Sequence, residues 1–274
     1  MVGAARALTP VDPLDEVVRS LESRLGARIG MAVIDDHTGR AWNHRAGERF
    51  ALTSTFKALA AAALLARIDR GEEKLDRRVV FAASDLVPYS PATEKRVGEP
   101  GLTLGEIAEA AVTLSDNTAG NLLLKAIGGP AGLTTFQRSL GDDVTRLDRW
   151  ETDLNEATPG DPRDTTTPSA MVHSLRELMV GRALAPASRE QLTAWMVGDR
   201  VGDALLRAGL PKDWRIADKT GAGGNGARGI VAVVWPPNRK PATVAIYIAE
   251  TRATMAERNA AIAEIGAVLA KSLV

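Results

Sequence analysis

Apolar and polar positions follow two different periods along this chain, and the periods predict where helices and strands lie. Pro13–Leu25 carries apolar side chains at helical spacing, whereas Arg28–Asp35 is a short apolar run typical of a strand. The polar turn at 36–39 predicts a second strand over 40–44. Toward the other end, the pattern predicts three strands and a closing amphipathic helix, at 216–220, 229–235, 242–250 and 255–273.

The middle of the chain has a helical pattern from Ser54 to about Val197, with loops rich in proline and glycine between the helices. An Ala/Leu run at 58–68 has high helix propensity. Further helices are predicted at 104–114 and 118–127, and another begins at Thr167-Pro168, where a cap precedes a proline. Two long loops, 85–100 and 146–164, interrupt this block.

This order of elements predicts an α+β fold of the α/β sandwich kind. Both chain ends would supply a five-stranded antiparallel sheet, which the terminal helices flank, and an all-helical domain would be inserted between them. The predicted domains are 1–50 together with 198–274, and 51–197. A cleft between two such domains is a common place for a small-molecule site.

Composition narrows the function classes without naming one. Of 274 residues, 45% are hydrophobic and 25% charged, the net charge is zero and there is no cysteine. No basic surface for nucleic acid and no membrane span is expected. The first ten residues lack the apolar core of a secretory signal, so we expect either a cytosolic protein or a mature form with an added Met.

The most informative motif is Ser54-x-x-Lys57, at the start of the Ala/Leu helix. Three-residue spacing puts both side chains on one helix face. An amine in apolar surroundings loses basicity and can accept the proton of a nucleophilic hydroxyl. Free backbone N–H groups at the helix start could hold an oxyanion. Taken alone, however, Ser54 could simply cap the helix.

Three other clusters could converge on the same cleft. They are Ser115-Asp116-Asn117 in a turn, Lys219-Thr220-Gly221 at a strand end, and the loop segment 149–155. Each alone is ordinary turn or loop material. Ser54-x-x-Lys57, then Ser115-Asp116-Asn117, then Lys219-Thr220-Gly221, in that order, form the motif set of class A β-lactamases and penicillin-binding proteins.

The chain resembles a class A β-lactamase over nearly its whole length. Segment 144–156 resembles the family's omega loop, 163–168 its exit and 254–259 the start of its last helix. The resemblance implies that Ser54 attacks the lactam carbonyl and that the N–H groups of Ser54 and Ala222 hold the oxyanion. Lys57 would accept or relay the Ser54 proton, and Ser115 would protonate the departing nitrogen.

The resemblance also implies how the acyl-enzyme is hydrolysed and how substrate is bound. Glu151 would deprotonate a water that Asn155 also holds, and either Glu151 or Lys57 remains open as the base for acylation. An ion pair of Arg149 with Asp164 would close the loop. The remaining substrate-binding residues implied are Tyr89, Asn117, Lys219, Thr220, Gly221 and Arg228.

Two departures and two alternatives accompany this interpretation. Thr53 and Gly223 stand where some relatives have cysteines, so the disulfide of a carbapenem-hydrolysing branch is absent. A penicillin-binding D,D-peptidase shares the triplets but lacks Glu151-x-x-x-Asn155. A penicillin-sensing domain would stay acylated, and Glu151 argues against it. The resemblance predicts β-lactam substrates, no metal or cofactor, no nucleic-acid or membrane partner, a monomer, and a periplasmic or secreted location.

Overall fold

The structure is a computed structural model that describes residues 12–274 of the chain. The first eleven positions of the predicted 1–50 segment lie outside the described residues, and so do the first ten residues, which lack the apolar core of a secretory signal. Within the described part, no helix combines the length and apolar character that crossing a bilayer requires.

A five-stranded antiparallel sheet is the centre of the fold, and this confirms the predicted class. Its strands, named in chain order, are β1 (Arg28–Asp35), β2 (Ala41–His44), β7 (Arg215–Ala222), β8 (Arg228–Trp235) and β9 (Ala242–Ala249). They lie in the order β2-β1-β9-β8-β7, so that strands from both chain ends pair directly through β1 and β9. The sheet therefore joins the two ends of the chain in one layer.

Both faces of the sheet are covered. In β8, Ile230 and Val234 belong to one core, packed with helices α1 (Pro13–Leu25) and α9 (Met255–Ser272). Val231 and Val233 point to the other core, which the middle helices fill. Successive residues of a strand face opposite sides, so an unbroken apolar run is the pattern expected for a strand buried on both faces.

The middle of the chain supplies the second layer. Its helices are α2 (Phe56–Asp69), α3 (Leu104–Thr113), α4 (Asn117–Ala126), α5 (Gly129–Ser139), α6 (Pro168–Met179) and α7 (Pro186–Val197). Every residue of α2 from Phe56 to Ala66 is buried, which explains a helix that is apolar on all sides. The division into domains 1–50 with 198–274 and 51–197 stays a prediction.

Several elements differ from the sequence prediction. The helix expected at Ser54 begins as a 3₁₀ turn, Thr53–Thr55, which runs directly into α2. Helix α5 was not predicted, because Gly129 and Pro130 were interpreted as a stop although proline fits the first turn of a helix. Short elements too brief to show a period were also missed: α8 (Leu206–Gly209) and the strand pairs β3 (Phe50–Ala51) with β6 (Thr165–Thr166) and β4 (Arg78–Val79) with β5 (Leu102–Thr103).

Candidate active site

The 3₁₀ turn and the first turn of α2 place Ser54 beside Lys57. Lys57 Nζ lies 3.0 Å from Ser54 Oγ, within hydrogen-bond distance. Lys57 is fully buried and Ser54 is 9% exposed. The sequence-predicted pair is therefore a hydroxyl at the edge of solvent with an amine behind it.

Three further oxygen atoms surround the Lys57 amine. Nζ donates to the Ser115 backbone carbonyl at 2.8 Å and to Asn117 Oδ1 at 2.6 Å, and it lies 2.9 Å from Glu151 Oε1. Gly120 of α4 leaves room for this side chain, because a Cβ there would come within 2.8 Å of Lys57 Cε. Burial lowers the pKa of Lys57 below its usual range, and the Glu151 carboxylate opposes that shift. Such an amine suits proton transfer with Ser54.

The turn between α3 and α4 presents Ser115 and Asn117 to the amine. Asp116 caps α4 by accepting a hydrogen bond from the Ala119 backbone N–H. The same carboxylate accepts from the Thr93 N–H and hydroxyl, so that it ties the 85–100 loop to the helix start. Ser115 has a left-handed backbone conformation, with φ of 58°. The turn is thus fixed by a buried carboxylate that does not contact Lys57 through a hydrogen bond.

Glu151 reaches the same amine from the 146–164 loop. Its backbone is held on both sides by one residue of α4: Asn121 Oδ1 accepts from the Glu151 N–H at 2.9 Å, and Asn121 Nδ2 donates to the Glu151 carbonyl at 3.0 Å. Asn155 Nδ2 donates to Glu151 Oε2. Asn155 Oδ1 is buried without a hydrogen-bond partner among residues 12–274. The Glu151–Thr152 peptide bond is cis.

The neck of this loop is closed by an ion pair. Arg149 Nε donates to Asp164 Oδ2, and Asp164 Oδ1 accepts from the backbone N–H groups of Asp148 and Arg149. Arg149 also pairs with Glu156 within the loop. The Asp164 carboxylate is buried, so these contacts are poorly screened by solvent. They fix the loop that carries Glu151.

The end of β7 lies directly against the Ser54 turn. A Cβ on Gly221 would come within 2.0 Å of Thr53 Oγ1 and 3.2 Å of the Ser54 nitrogen. A Cβ on Gly223 would come within 2.5 Å of the Asn155 carbonyl oxygen. Thr53 has a φ of 43°, a strained conformation for a β-branched residue. Glycine is required at both positions because the strand end packs against the Thr53 side chain at Gly221 and against the Asn155 backbone at Gly223.

Two cations lie along the same strand end. Lys219 is fully buried, and its Nζ donates to the Thr220 carbonyl at 3.1 Å. Burial lowers the pKa of Lys219 to about 8. Arg228 donates to Asn259 Oδ1 at 2.8 Å and to the Gly221 carbonyl at 3.1 Å. Burial lowers the pKa of Arg228 to about 10, so it remains charged at neutral pH.

Asp199 and Asp218 form a buried acid pair, and their negative charge opposes the fall in the pKa of Lys219. The Oδ2 atoms of Asp199 and Asp218 converge over Gly202, where a Cβ would lie 2.9 Å and 2.3 Å from them. Arg207 donates to the other oxygen of Asp218. Burial, together with the Asp199 carboxylate, raises the pKa of Asp218 to about 7, although Arg207 and Lys219 oppose the shift. Two convergent buried carboxyl groups are expected to share a proton near neutral pH.

These residues surround a cavity of about 400 Å³. Nine sequence-predicted residues line it: Ser54, Tyr89, Ser115, Asn117, Asn155, Thr220, Gly221, Ala222 and Arg228. The other three, Lys57, Glu151 and Lys219, are buried and do not line it. Tyr89 is 58% exposed and forms part of the rim. The structure therefore gathers all twelve predicted residues at one cleft or directly behind it.

Four residues of this region were not predicted from the sequence as site residues. Val201 and Met255 line the cavity, Asn121 holds the Glu151 backbone, and Asn259 positions Arg228. One signal was available, since Asn121 follows Asn117 by four residues and shares its helix face. In the described part of the chain, no three His, Asp or Glu side chains are grouped as metal ligands would be.

Comparison with known proteins gives a consistent result. The model of the β-lactamase enzyme family matches residues 13–273. Beta-lactamase AER-1 from Aeromonas hydrophila is 54% identical over 266 residues, covering 95% of this chain and 88% of that protein. The structure of an ancestral class A β-lactamase (GNCA) is 57% identical, with a TM-score of 0.93, over 94% of this chain and 99% of that one. A class A β-lactamase of the last common ancestor of Gram-negative bacteria (GNCA4) is 56% identical, with a TM-score of 0.93, over 95% and 99% of the two chains.

Proposed function

The chain belongs to the β-lactamase enzyme family, in class A, and we propose from the geometry of its site which residues perform the hydrolysis of β-lactams. Penicillins and cephalosporins are the proposed substrates. The observation that carries the proposal is the contact of one buried amine, Lys57 Nζ, with both Ser54 Oγ and Glu151 Oε1. That contact brings a nucleophile and a carboxylate from distant parts of the chain to the same point.

Acylation begins at Ser54. Its hydroxyl gives up a proton to Lys57, the basic group in direct contact with it, and attacks the lactam carbonyl. The backbone N–H groups of Ser54 and Ala222 stabilise the oxyanion; the packing of Gly221 against the Ser54 turn supports this pairing. Ser115 lines the cavity and protonates the lactam nitrogen as the amide bond breaks.

Deacylation depends on Glu151. Its carboxylate is held by Asn155 and by Lys57, and the free Oδ1 of Asn155 is a second acceptor for an attacking water. Glu151 takes the proton of that water as it attacks the acyl ester, and a positioned base contributes roughly 10²- to 10⁴-fold to such a step. This base argues against a D,D-peptidase or a penicillin sensor, in which the acyl-enzyme would persist.

Substrate is bound by charge and by amide groups. Thr220 and Arg228 line the cavity, so that the substrate carboxylate meets the Arg228 cation, and Lys219, buried next to Thr220 in the strand, adds a second positive charge. Asn117 offers its side chain to the acylamido group, and Tyr89 borders the entrance. For the protein as a whole we propose a monomer that acts in the periplasm or after secretion, as the family membership suggests.

The test is a continuous assay with a chromogenic cephalosporin in the presence of a metal chelator. We expect turnover that the chelator does not reduce, and none above background for Ser54→Ala. Thr55→Ser is a matched control in the same turn, since Thr55 is buried away from the cavity. Loss of turnover on chelation would refute the proposal, as would full activity of folded Ser54→Ala.

A further inference from the structure

Two apolar side chains line the cavity without a role in the chemistry above. Met255 is 44% exposed, although large apolar side chains are mostly buried in this protein. Val201 is half-buried and lines the same cavity. An exposed methionine in a cleft offers an adaptable apolar surface to a ligand. Neither side chain has a proton to donate, so any role must lie in contact with substrate.

The position of Met255 within the cleft is defined by its helix. Met255 is the first residue of α9, whose start is fixed by the reciprocal hydrogen bonds of Thr254 and Glu257. Asn259 follows one turn later on the same face, and its Oδ1 accepts from Arg228. Met255 therefore lies beside the Arg228 end of the cleft, where the proposed function places the substrate carboxylate.

Val201 is held at the cavity by the buried acid pair. Its backbone N–H donates to Asp199 Oδ1 at 3.0 Å, and Gly202 packs directly on the two carboxyl groups. Tyr89 belongs to a different side of the cleft, because its carbonyl accepts from the Asn117 backbone N–H. The cavity thus has an aromatic side chain beside Asn117, Met255 at the Arg228 end, and Val201 as a second apolar residue of the same lining.

The chemistry of β-lactams indicates what Met255 and Val201 would contact. In a cephalosporin, the ring carbon that carries the carboxylate is bonded to C3, which carries the variable substituent. A carboxylate held at Thr220 and Arg228 leaves that substituent at the same end of the cleft. We propose that Met255 and Val201 form the surface that binds the C3 substituent, a proposal that rests on the proposed function. Met255 selects for apolar groups there.

The test compares two cephalosporins that share one C7 side chain and carry hydrogen or an aryl-vinyl group at C3. For Met255→Ala, and for the near-isosteric Met255→Gln, kcat/KM for the aryl-vinyl compound should fall about 3- to 10-fold, through KM. The C3-hydrogen compound should change less than about 2-fold, because it lacks the group that this surface contacts. Met255→Leu should retain wild-type discrimination, and Val80→Ala, at an exposed apolar residue that does not line this cavity, is the control.

The outcomes separate this inference from the proposed function. If the wild-type protein hydrolyses neither compound, the proposed function fails. If it hydrolyses both and the Met255 variants change the two equally, or change neither, the function stands and the proposed surface is refuted. A selective rise in KM for the aryl-vinyl compound supports the proposed surface, provided that melting temperatures of the variants match the wild type.

Discussion

Asn121 offers the sharpest test of how the loop carboxylate is held. Its side-chain amide makes two hydrogen bonds to the backbone of Glu151, at 2.9 and 3.0 Å, and it does not line the cavity. Asn121→Ala removes both bonds while leaving Ser54, Lys57 and the proposed substrate-binding residues in place. Deacylation should therefore slow, whereas acylation should be largely retained.

The magnitude follows from the two lost contacts. A net contribution of about 0.5–1.5 kcal/mol for each hydrogen bond gives about 1–3 kcal/mol for the pair. This free energy favours the loop conformation in which the Glu151 carboxylate lies beside Lys57 Nζ. Because about 1.4 kcal/mol corresponds to a factor of ten, we expect the deacylation rate to fall about 5- to 150-fold. Asn121→Asp keeps an acceptor for the Glu151 N–H, so its deacylation rate should lie between those of Asn121→Ala and the wild type.

Stopped-flow kinetics with a chromogenic cephalosporin separates the two steps. Asn121→Ala should release about one equivalent of product in a fast burst and then turn over slowly, as acyl-enzyme accumulates. Lys125→Ala is the matched control, since Lys125 lies on the same helix and forms an exposed ion pair with Asp85. A steady-state rate within twofold of wild type would refute the reasoning. So would an equal loss of burst and steady-state rates in folded protein.

Three further predictions concern the electrostatics of the site. For a carboxylate-bearing β-lactam, kcat/KM should fall about tenfold per pH unit above pH 8, because Lys219 loses its charge there. In Lys219→Arg the fall should begin above pH 9. A pH profile that is the same in the variant and the wild type would contradict this. Because the pKa of Asp218 is raised to about 7, the folded protein still holds a proton that the unfolded chain releases near pH 4. The unfolding free energy should therefore decline as the pH rises from about 4 to 7. Urea denaturation at pH 5 and pH 8 measures this decline in the unfolding free energy, and Asp199→Asn should make it smaller. An equal decline in the variant and the wild type would count against the prediction. Asp116→Ala leaves the Thr93 N–H unpaired and should lower the unfolding free energy by about 1–3 kcal/mol. An unfolding free energy equal to that of the wild type would contradict that role.

The sequence predicted the sheet well because its strands are buried on both faces. The unbroken apolar runs of β8 and β9 and the turn after β1 leave little choice of element. The cleft was predicted through resemblance, since Ser54-x-x-Lys57 and the later triplets are separated by long stretches that no local pattern connects. Helix α5 was missed because Gly129-Pro130 is compatible with both the end and the beginning of a helix.

What the sequence did not reveal depends on contacts between distant backbones. Nothing local to Asn121 indicates that its amide pairs with a peptide group thirty residues later. The need for glycine at position 221 arises from the Thr53 side chain, which lies directly against this strand end although it is far away in sequence. Asp199 and Asp218 are ordinary acidic residues until the fold brings their carboxyl groups together over Gly202. These features follow from tertiary packing and have no periodic signature.

Glu151 is the group on which we expect release of the acyl chain from Ser54 to depend. Intact mass spectrometry of Glu151→Ala after brief mixing with a penicillin tests this most directly. We predict a persistent mass increase equal to one penicillin molecule, localised to the peptide that contains Ser54, while the wild-type protein returns to its free mass. Normal turnover by Glu151→Ala with no adduct would contradict the account.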